Sequence, residues 1–181
     1  DNIFYGQHFT EKLERASRKE KGATIFGCFT IEPQRFGVIE FDTNGKTLSI
    51  EEKPPNPKSD FAVTGLYFYD NQVIEFAKSL KPSSRGELEI TDLNNIYIKE
   101  SNLDVEILGR GFTWLDTGTF DSLLEASQLV QTIQKSQGLK IACLEEIAFR
   151  NKWISRKPVK EIINVSSSSY GNYLTKVISS K

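Results

Sequence analysis

The residues Ala23–Phe29 form a short and mostly apolar run, and this run constrains the fold more than any other segment. An apolar run of this length, without polar alternation, is typical of a strand that is buried on both faces of a sheet. A sheet can bury both faces only where other layers cover it. The sequence therefore predicts a layered protein with a central strand at this position.

Helical and strand patterns alternate along the rest of the chain, which favours the α/β class. Thr43–Lys46 contains Asn-Gly, a strong hairpin signal, because these residues tolerate the positive φ angles of tight turns. A hairpin inside an α/β protein predicts a mixed sheet rather than a purely parallel one. Strands are predicted over 23–29, 37–42, 47–53, 62–69, 104–108 and 112–115. Helices are predicted over 7–21 and 71–80, in a segment that ends near Lys99, in a long segment that begins after the cap Thr119, and in short pieces from about Leu144.

The composition is that of an ordinary soluble globular protein. The 181 residues carry a net charge of −1, with 38% hydrophobic and 26% charged residues. This balance gives no support for nucleic-acid binding, and no apolar run has the length of a membrane span. Cys28 and Cys143 lie among apolar neighbours without metal-like spacing, so we expect two buried free thiols in a reducing cytoplasm.

Two acidic residues follow predicted strands. Asp1 and Asn2 precede an apolar stretch, and Asp116 ends the strand at Trp114. Ligands of open α/β sheets bind at the carboxyl ends of strands. We therefore expect residue 1 to lie inside a functional site whose other half is absent from this sequence. Two carboxylates there would suit Mg²⁺; alternatively, Asp116 only favours the positive end of the helix that follows it.

A second group of polar residues suits a phosphorylated sugar. Glu52 lies on the apolar side of the returning hairpin strand, where it either pairs with a buried cation or binds a ligand hydroxyl. Lys53 beside it could meet a phosphate as a point charge, although a solvated salt bridge at a strand end is the plainer alternative. Arg85-Gly86-Glu87 could recognise a sugar or be an exposed charged loop. Gly65 interrupts a strand, which indicates a bulge, close approach of a ligand, or packing against a neighbouring strand.

Several blocks of the sequence occur in an order and spacing that closely resemble the glucose-1-phosphate thymidylyltransferase family of sugar nucleotidyltransferases. These blocks are Asp1–Gly6, Phe36–Val38, Glu51–Pro54, Ala62–Tyr69, Arg85–Asp92, Trp114–Thr119, Glu145–Arg150 and Tyr170–Leu174. The resemblance implies an α/β, mixed-sheet, Rossmann-like nucleotidyltransferase fold with C-terminal helices. It also implies that the family's glycine-rich nucleotide loop should precede residue 1 by roughly a hundred residues.

The resemblance implies a reaction as well. In this family the phosphate of glucose 1-phosphate attacks the α-phosphorus of dTTP, which releases pyrophosphate and forms dTDP-glucose for dTDP-rhamnose and deoxysugar biosynthesis. By similarity, Asp1 and Asp116 would hold Mg²⁺, and Lys53 would contact the sugar phosphate. The other residues implied for the substrate pocket are Asn2, Phe36, Gly37, Glu52, Val63, Tyr67, Arg85, Glu87 and Trp114. At Phe36 the family commonly has a tyrosine.

The resemblance leaves alternatives open. A UTP- or CTP-dependent sugar-1-phosphate nucleotidyltransferase would look similar, because the base is read mainly in the absent half. An inactive sugar-binding or oligomer-forming fragment is the other alternative, and we expect no transferase activity from the isolated chain.

A regulatory site and a division of the chain are also implied by the resemblance. The family binds its end product, dTDP-rhamnose, between subunits of a homotetramer, and Gly6, Arg110, Glu146, Ile147 and Arg150 match positions near that site. Residues 1–137 would form the sugar-phosphate and metal-binding part of the catalytic domain. Residues 138–181 would form a helical C-terminal segment that packs on this part and lies at subunit interfaces.

Overall fold

The computed structural model describes residues 2–83, 85–166 and 168–179. The chain divides into two compact units, Asp1–Gly118 and Thr119–Lys181. The division expected from the sequence lies after residue 137, whereas in the structure the helix that follows Thr119 belongs to the second unit. The functional roles assigned to the two parts stay predictions.

The first unit is built around a mixed five-stranded sheet. Its elements are β1 (Asn2–Tyr5), α1 (Phe9–Ser17), β2 (Ala23–Phe29), β3 (Gly37–Phe41), β4 (Thr47–Glu52), β5 (Phe61–Tyr69), α2 (Val73–Ser79), α3 (Ile90–Lys99), β6 (Leu103–Leu108) and β7 (Thr113–Asp116). The large sheet has the order β4-β3-β5-β2-β6, and β1 and β7 form a separate two-stranded sheet. Strand β2 pairs in parallel with β6 and antiparallel with β5, which confirms the predicted mixed sheet.

Strand β2 is buried on both faces, as its apolar run predicts. Ile25 faces a cluster with Ile39, Ile50 and Val63, whereas Phe26 faces the opposite cluster, which includes Leu108. Both Ile25 and Phe26 are 0% exposed. Because successive strand residues point to opposite faces, a strand with two cores cannot alternate apolar and polar residues.

The hairpin between β3 and β4 forms where Asn44-Gly45 predicts it. Gly45 takes a φ of 81°, a conformation that glycine adopts without steric cost. The Asp42 carboxylate closes the turn by accepting hydrogen bonds from the backbone amides of Asn44 and Lys46, both at 2.8 Å. The turn thereby fixes the register that carries Glu52 to the end of β4, opposite Gly37.

The first helix is shorter than the sequence predicts. Helix α1 spans Phe9–Ser17 rather than 7–21, because His8 has a left-handed φ of 60° before it and Arg18 caps its C-terminal end. Gly22, predicted as its stop, instead donates its backbone amide to the Asp70 carboxylate at 2.7 Å. The helix predicted from the sequence is therefore longer at both ends than the helix in the structure.

The second unit is helical. Its elements are α4 (Phe120–Gln137), α5 (Leu144–Arg150), α6 (Arg156–Val165) and α7 (Ser169–Ser179). Thr119 caps α4 through a reciprocal capping box with Ser122, which stabilises helix ends by satisfying free amides. Val159 and Leu174 are buried in the core shared by α5, α6 and α7.

Two further expectations concern the thiols and membrane spans. Cys28 and Cys143 are both buried and free, as expected. Within the described residues, none of the helices combines the length and the apolar character that a bilayer crossing requires.

Candidate functional site

One cavity of about 250 Å³ in the first unit collects most of the residues that the sequence analysis singled out. Its walls come from the ends of β3 and β4, the middle of β5, the start of α3 and the two-stranded sheet. The lining residues are Asn2, Arg35, Phe36, Gly37, Glu52, Lys53, Val63, Thr64, Gly65, Tyr67, Ile90, Thr91, Trp114 and Asp116. Segments far apart in the sequence therefore converge on one concave surface.

An aromatic wall forms one side of the cavity. The rings of Phe36 and Trp114 lie 4.8 Å apart between centroids at a tilt of 59°. The Arg35 guanidinium lies 5.5 Å from the centroid of the Phe36 ring, a cation–π distance. The indole of Trp114 donates a hydrogen bond to the Asn2 side-chain oxygen. This wall offers apolar ring faces with a cation at its edge.

Gly65 is required by the close approach of Asn2. A side-chain carbon at Gly65 would collide with the Asn2 amide, and the backbone amide of Gly65 donates to the Asn2 oxygen at 3.4 Å. The ladder between β2 and β5 is also irregular here, between Ile25 and Gly27. The sequence left several explanations open for Gly65. In the structure, a bulge lies at this position, and Asn2, which belongs to a different sheet, packs against it.

Glu52 supplies a carboxylate to the lining of the cavity. Thr91 donates its hydroxyl to Glu52 Oε2 at 2.6 Å, and Glu52 Oε1 lies 3.9 Å from the Arg85 guanidinium. Gly37, paired with Glu52 across the strands, leaves open space that a side chain would fill against Thr91 and Glu52. The Glu52 carboxylate consequently keeps acceptor capacity at the cavity wall.

Lys53 leaves the strand in an unusual backbone conformation. Its φ is 45°, which costs a non-glycine residue about 1–2 kcal/mol. Its backbone amide donates to the Phe36 carbonyl at 2.9 Å, and the residue is exposed. Strained residues of this kind persist where the surrounding structure fixes them, and they cluster at functional sites.

Tyr67 adds a phenol to the cavity. Burial, and secondarily the negative charge of Glu52, raise the pKa of Tyr67 above its ordinary value. The phenol therefore stays protonated at neutral pH and can donate a hydrogen bond.

Arg85 and Glu87 lie beside the cavity rather than in its lining. The Arg85 guanidinium pairs with Glu87 at 3.0 Å and approaches Glu89 at 3.6 Å. Glu87 is 62% exposed, whereas Glu89 is 13% exposed. Arg85 thus connects the loop to Glu52, and the predicted sugar contact of Glu87 stays a prediction.

Asp116 also lines the cavity, at the end of β7 and directly opposite Asn2 in the ladder. The predicted second metal carboxylate, Asp1, lies outside the described residues. Among residues 2–83, 85–166 and 168–179, His, Cys, Asp and Glu do not form a group of three that could hold a metal ion. Asp116 can supply one carboxylate to a cation such as Mg²⁺, which takes one or two protein carboxylates and completes its shell with other oxygens, whereas the Asn2 amide oxygen already accepts hydrogen bonds from Trp114 and Gly65.

Sequence reasoning missed some of the lining residues as site residues. These are Arg35, Thr64, Ile90 and Thr91, with Gly65 noted only as an interruption of a strand. Arg35 directly precedes a block that carries the resemblance, and the three other residues lie within such blocks, so proximity in sequence was the available signal. Thr64 is buried with an unpaired hydroxyl in the described structure, and no sequence pattern indicated this.

The predicted regulatory residues fall in both units. Gly6 packs under the Phe112 ring, which leaves no room for a side chain, and Arg110 is exposed between β6 and β7. In the second unit, Glu146, Ile147 and Arg150 share α5, and Arg150 donates to the Glu146 carboxylate at 2.7 Å. Their regulatory role stays a prediction.

Known proteins resemble this chain closely. A glucose-1-phosphate thymidylyltransferase of Neisseria gonorrhoeae is 59% identical over 98% of this chain and 62% of its own length. Proteins of the same name from Xanthomonas campestris and Mycobacterium tuberculosis are 51% and 49% identical, over 97% and 98% of this chain and 60% and 62% of their own lengths. The chain therefore spans about three fifths of the length of these relatives.

Solved structures agree with the fold. A Bacillus anthracis structure, assigned as a glucose-1-phosphate thymidylyltransferase and complexed with sucrose, superposes with a TM-score of 0.60 at 42% identity, over 71% of this chain and 51% of its own. A UDP-glucose pyrophosphorylase complexed with UDP-glucose gives 0.63 at 18% identity, over 72% and 53%; at that identity the likeness concerns the fold alone. Residues 1–133 match the nucleotidyl transferase family, and the chain belongs to that family.

Proposed function

We propose that this chain is the sugar-phosphate-binding portion of a glucose-1-phosphate thymidylyltransferase, which forms dTDP-glucose and pyrophosphate from dTTP and glucose 1-phosphate. One observation carries the proposal: Glu52, Lys53 and Asp116 line the same cavity as the Phe36 and Trp114 rings. The similarity to thymidylyltransferases over nearly the whole chain supports it independently.

The size of the cavity favours a sugar phosphate. Its volume of about 250 Å³ lies below the roughly 300–1,000 Å³ of pockets that enclose drug-sized ligands. A hexose phosphate is a smaller ligand, whereas a nucleoside triphosphate needs further walls. The proposal therefore assigns the sugar half of the reaction to these residues and the nucleotide half to a part of the longer protein.

The hexose would contact Glu52 and the aromatic wall. Glu52 would accept hydrogen bonds from sugar hydroxyls, since its Oε1 has only the distant Arg85 beside it among the described residues. Tyr67 would donate a hydrogen bond from its phenol, and Gly37, which has no side chain, leaves room for the sugar ring. Val63 and the aromatic rings would cover the apolar faces of the sugar.

The phosphate would be held by cations at the mouth of the cavity. Lys53 supplies an exposed ammonium, and Arg35 supplies a guanidinium that already pairs with Glu32 at 2.9 Å. By placing the phosphate oxygen toward the dTTP α-phosphorus, these residues would contribute positioning and charge neutralisation, which dominate catalysis of phosphoryl and nucleotidyl transfer.

Asp116, together with Asp1, would hold Mg²⁺. The bound cation would neutralise phosphate negative charge during the transfer. Asn2, which lies opposite Asp116, would keep the two-stranded sheet aligned with β5 through its contacts to Trp114 and Gly65.

The proposal extends to regulation and assembly. Feedback binding of dTDP-rhamnose would involve Gly6, Arg110, Glu146, Ile147 and Arg150, in a bacterial, cytoplasmic homotetramer of the longer protein. The choice of dTTP over UTP or CTP would rest with the nucleotide half.

Calorimetry on the 181-residue chain tests the proposal. Glucose 1-phosphate should bind, glucose should bind more weakly because it lacks the phosphate, and dTTP with Mg²⁺ should give no heat of binding. An absence of glucose 1-phosphate binding by the folded chain would contradict the proposal. Turnover of dTTP and glucose 1-phosphate by this chain would contradict the assignment of the nucleotide half to another segment.

A further inference from the structure

Strand β4 carries Glu52 and Lys53, and it is an edge strand of the five-stranded sheet. One side of β4 pairs with β3. The backbone groups on the other side of an edge strand have no strand partner, so edge strands are easily displaced or frayed. The proposed sugar-phosphate site therefore depends on whatever holds the open side of β4.

Asn95 of α3 occupies that open side at Ile50. Its side-chain oxygen accepts a hydrogen bond from the Ile50 backbone amide at 3.0 Å, and its side-chain amide donates to the Ile50 carbonyl at 2.8 Å. One carboxamide thus replaces the two hydrogen bonds that a neighbouring strand would make to a single residue. Ile50 is 3% exposed, so its side chain anchors the same residue in the core.

A second contact from the same helix reaches the end of the strand. Thr91 lies one turn before Asn95 on α3, which places both residues on one helix face. Thr91 donates to the Glu52 carboxylate at 2.6 Å. Helix α3 therefore holds the backbone of β4 at Ile50 and the carboxylate two residues later.

The backbone beyond Glu52 needs this support. Lys53 has a φ of 45°, and a non-glycine residue keeps such a conformation only where its flanking segments are fixed. On the β3 side, the Phe36 carbonyl accepts from the Lys53 amide at 2.9 Å. On the open side of β4, the backbone is held at Ile50, three residues before Lys53, by the hydrogen bonds of Asn95.

We infer that Asn95 is a positioning residue of the sugar-phosphate site: its paired hydrogen bonds to Ile50 lock the free edge of β4, so that Glu52 and Lys53 project into the cavity at fixed positions. This inference rests on the proposed function. Asn95 does not line the cavity itself, so it acts through β4 and makes no contact with substrate.

The test is the affinity of the Asn95→Ala variant for glucose 1-phosphate, measured by calorimetry at a temperature where the variant is folded. Loosening a strand that carries two ligand contacts should weaken binding about tenfold, because small displacements of binding groups are costly. A merely structural role would lower the melting temperature and leave the affinity of the folded protein unchanged, and that result would overturn the inference.

Leu93→Ala is the matched control on the same helix. Leu93 is 4% exposed and packs with Ala23 and Tyr97, away from β4. This variant should lower the melting temperature at least as much as Asn95→Ala and keep wild-type affinity for glucose 1-phosphate. Equal loss of affinity in both variants would also overturn the inference. If the wild-type chain binds no glucose 1-phosphate, the proposed function itself fails, which is a distinct outcome.

Discussion

Glu52 at the cavity and Glu106 on β6 are equally buried but differently partnered. Their side chains are 24% and 22% exposed. Glu106 pairs with Lys12 at 3.0 Å and with Arg15 at 2.5 Å. Among the described residues, Glu52 accepts one hydroxyl hydrogen bond, from Thr91, and has the Arg85 guanidinium 3.9 Å away, beyond hydrogen-bond distance.

Both oxygens of Glu106 accept hydrogen bonds from cations of the fold, whereas Glu52 Oε1 accepts no hydrogen bond among the described residues and can accept one from a ligand. Lys12 and Arg15 belong to α1, so the Glu106 pairs attach α1 to β6. Burial opposes ionisation of Glu106, but the hydrogen bonds from Arg15 and Lys12 outweigh it and hold its pKa below the ordinary value. At equal exposure, the number of cationic partners shows which carboxylate is already committed to the fold.

The largest expected effect is on glucose 1-phosphate binding when Lys53, the residue after Glu52, loses its charge. Lys53→Gly should weaken glucose 1-phosphate binding about a hundredfold, since a charge-assisted bond contributes about 1.5–3 kcal/mol and each 1.4 kcal/mol is tenfold. The free energy of unfolding should stay equal or rise by up to about 1 kcal/mol, because glycine accepts the positive φ. Calorimetry and urea unfolding measure the two quantities. Lys46→Gly, in the exposed hairpin turn, is the control and should retain wild-type affinity.

Glu52→Gln should weaken glucose 1-phosphate binding about tenfold. The amide can still accept from Thr91, so the melting temperature should stay near that of the wild type, while the loss of charge weakens hydrogen bonds to sugar hydroxyls. Glu51→Gln provides the comparison, because Glu51 is the exposed neighbour on the other face of β4. Equal affinities of the two variants would remove the distinction between Glu52 and a surface carboxylate.

Glu106→Gln should have the opposite profile, with intact binding and reduced stability. We expect a loss of about 1 kcal/mol in the free energy of unfolding at pH 7. Because the folded pKa of Glu106 is lowered, its contribution is present above the unfolded pKa and disappears as the pH falls through the folded pKa. Urea unfolding of wild type and variant from pH 7 downward should therefore converge in acid. A constant difference at all pH values would argue against the ion pairs as its source.

The smallest expected effect is at the aromatic wall. Phe36→Tyr adds a hydroxyl and keeps the ring that packs on Trp114, so the affinity for glucose 1-phosphate should change by at most about threefold. Calorimetry on this variant decides whether the phenylalanine matters for the sugar. A larger gain would mean that the cavity of this chain has lost a hydrogen bond to the ligand.

Much of the secondary structure could be predicted from local patterns. The β2 run, the Asn-Gly hairpin and the Thr119 cap each depend on a few neighbouring residues, and each is present as predicted. The ends of α1 were wrong, because the left-handed conformation of His8 is not encoded in helical periodicity. The place of Arg35 in the cavity was missed for a related reason, since only its ring neighbour Phe36 stood out in the sequence.

By itself, the sequence determined the mixed α/β class, the family and the carboxylates and lysine at strand ends, because strand burial, turn chemistry and long motif blocks are written in consecutive residues. Only the tertiary structure decided that Asn2 packs on Gly65, that Thr91 and Asn95 hold β4, and that Glu106 has two close cations while Glu52 has its cation 3.9 Å away within the described part of the chain. These contacts join residues distant in the chain, and their energies depend on geometry and partner number, which no local pattern records.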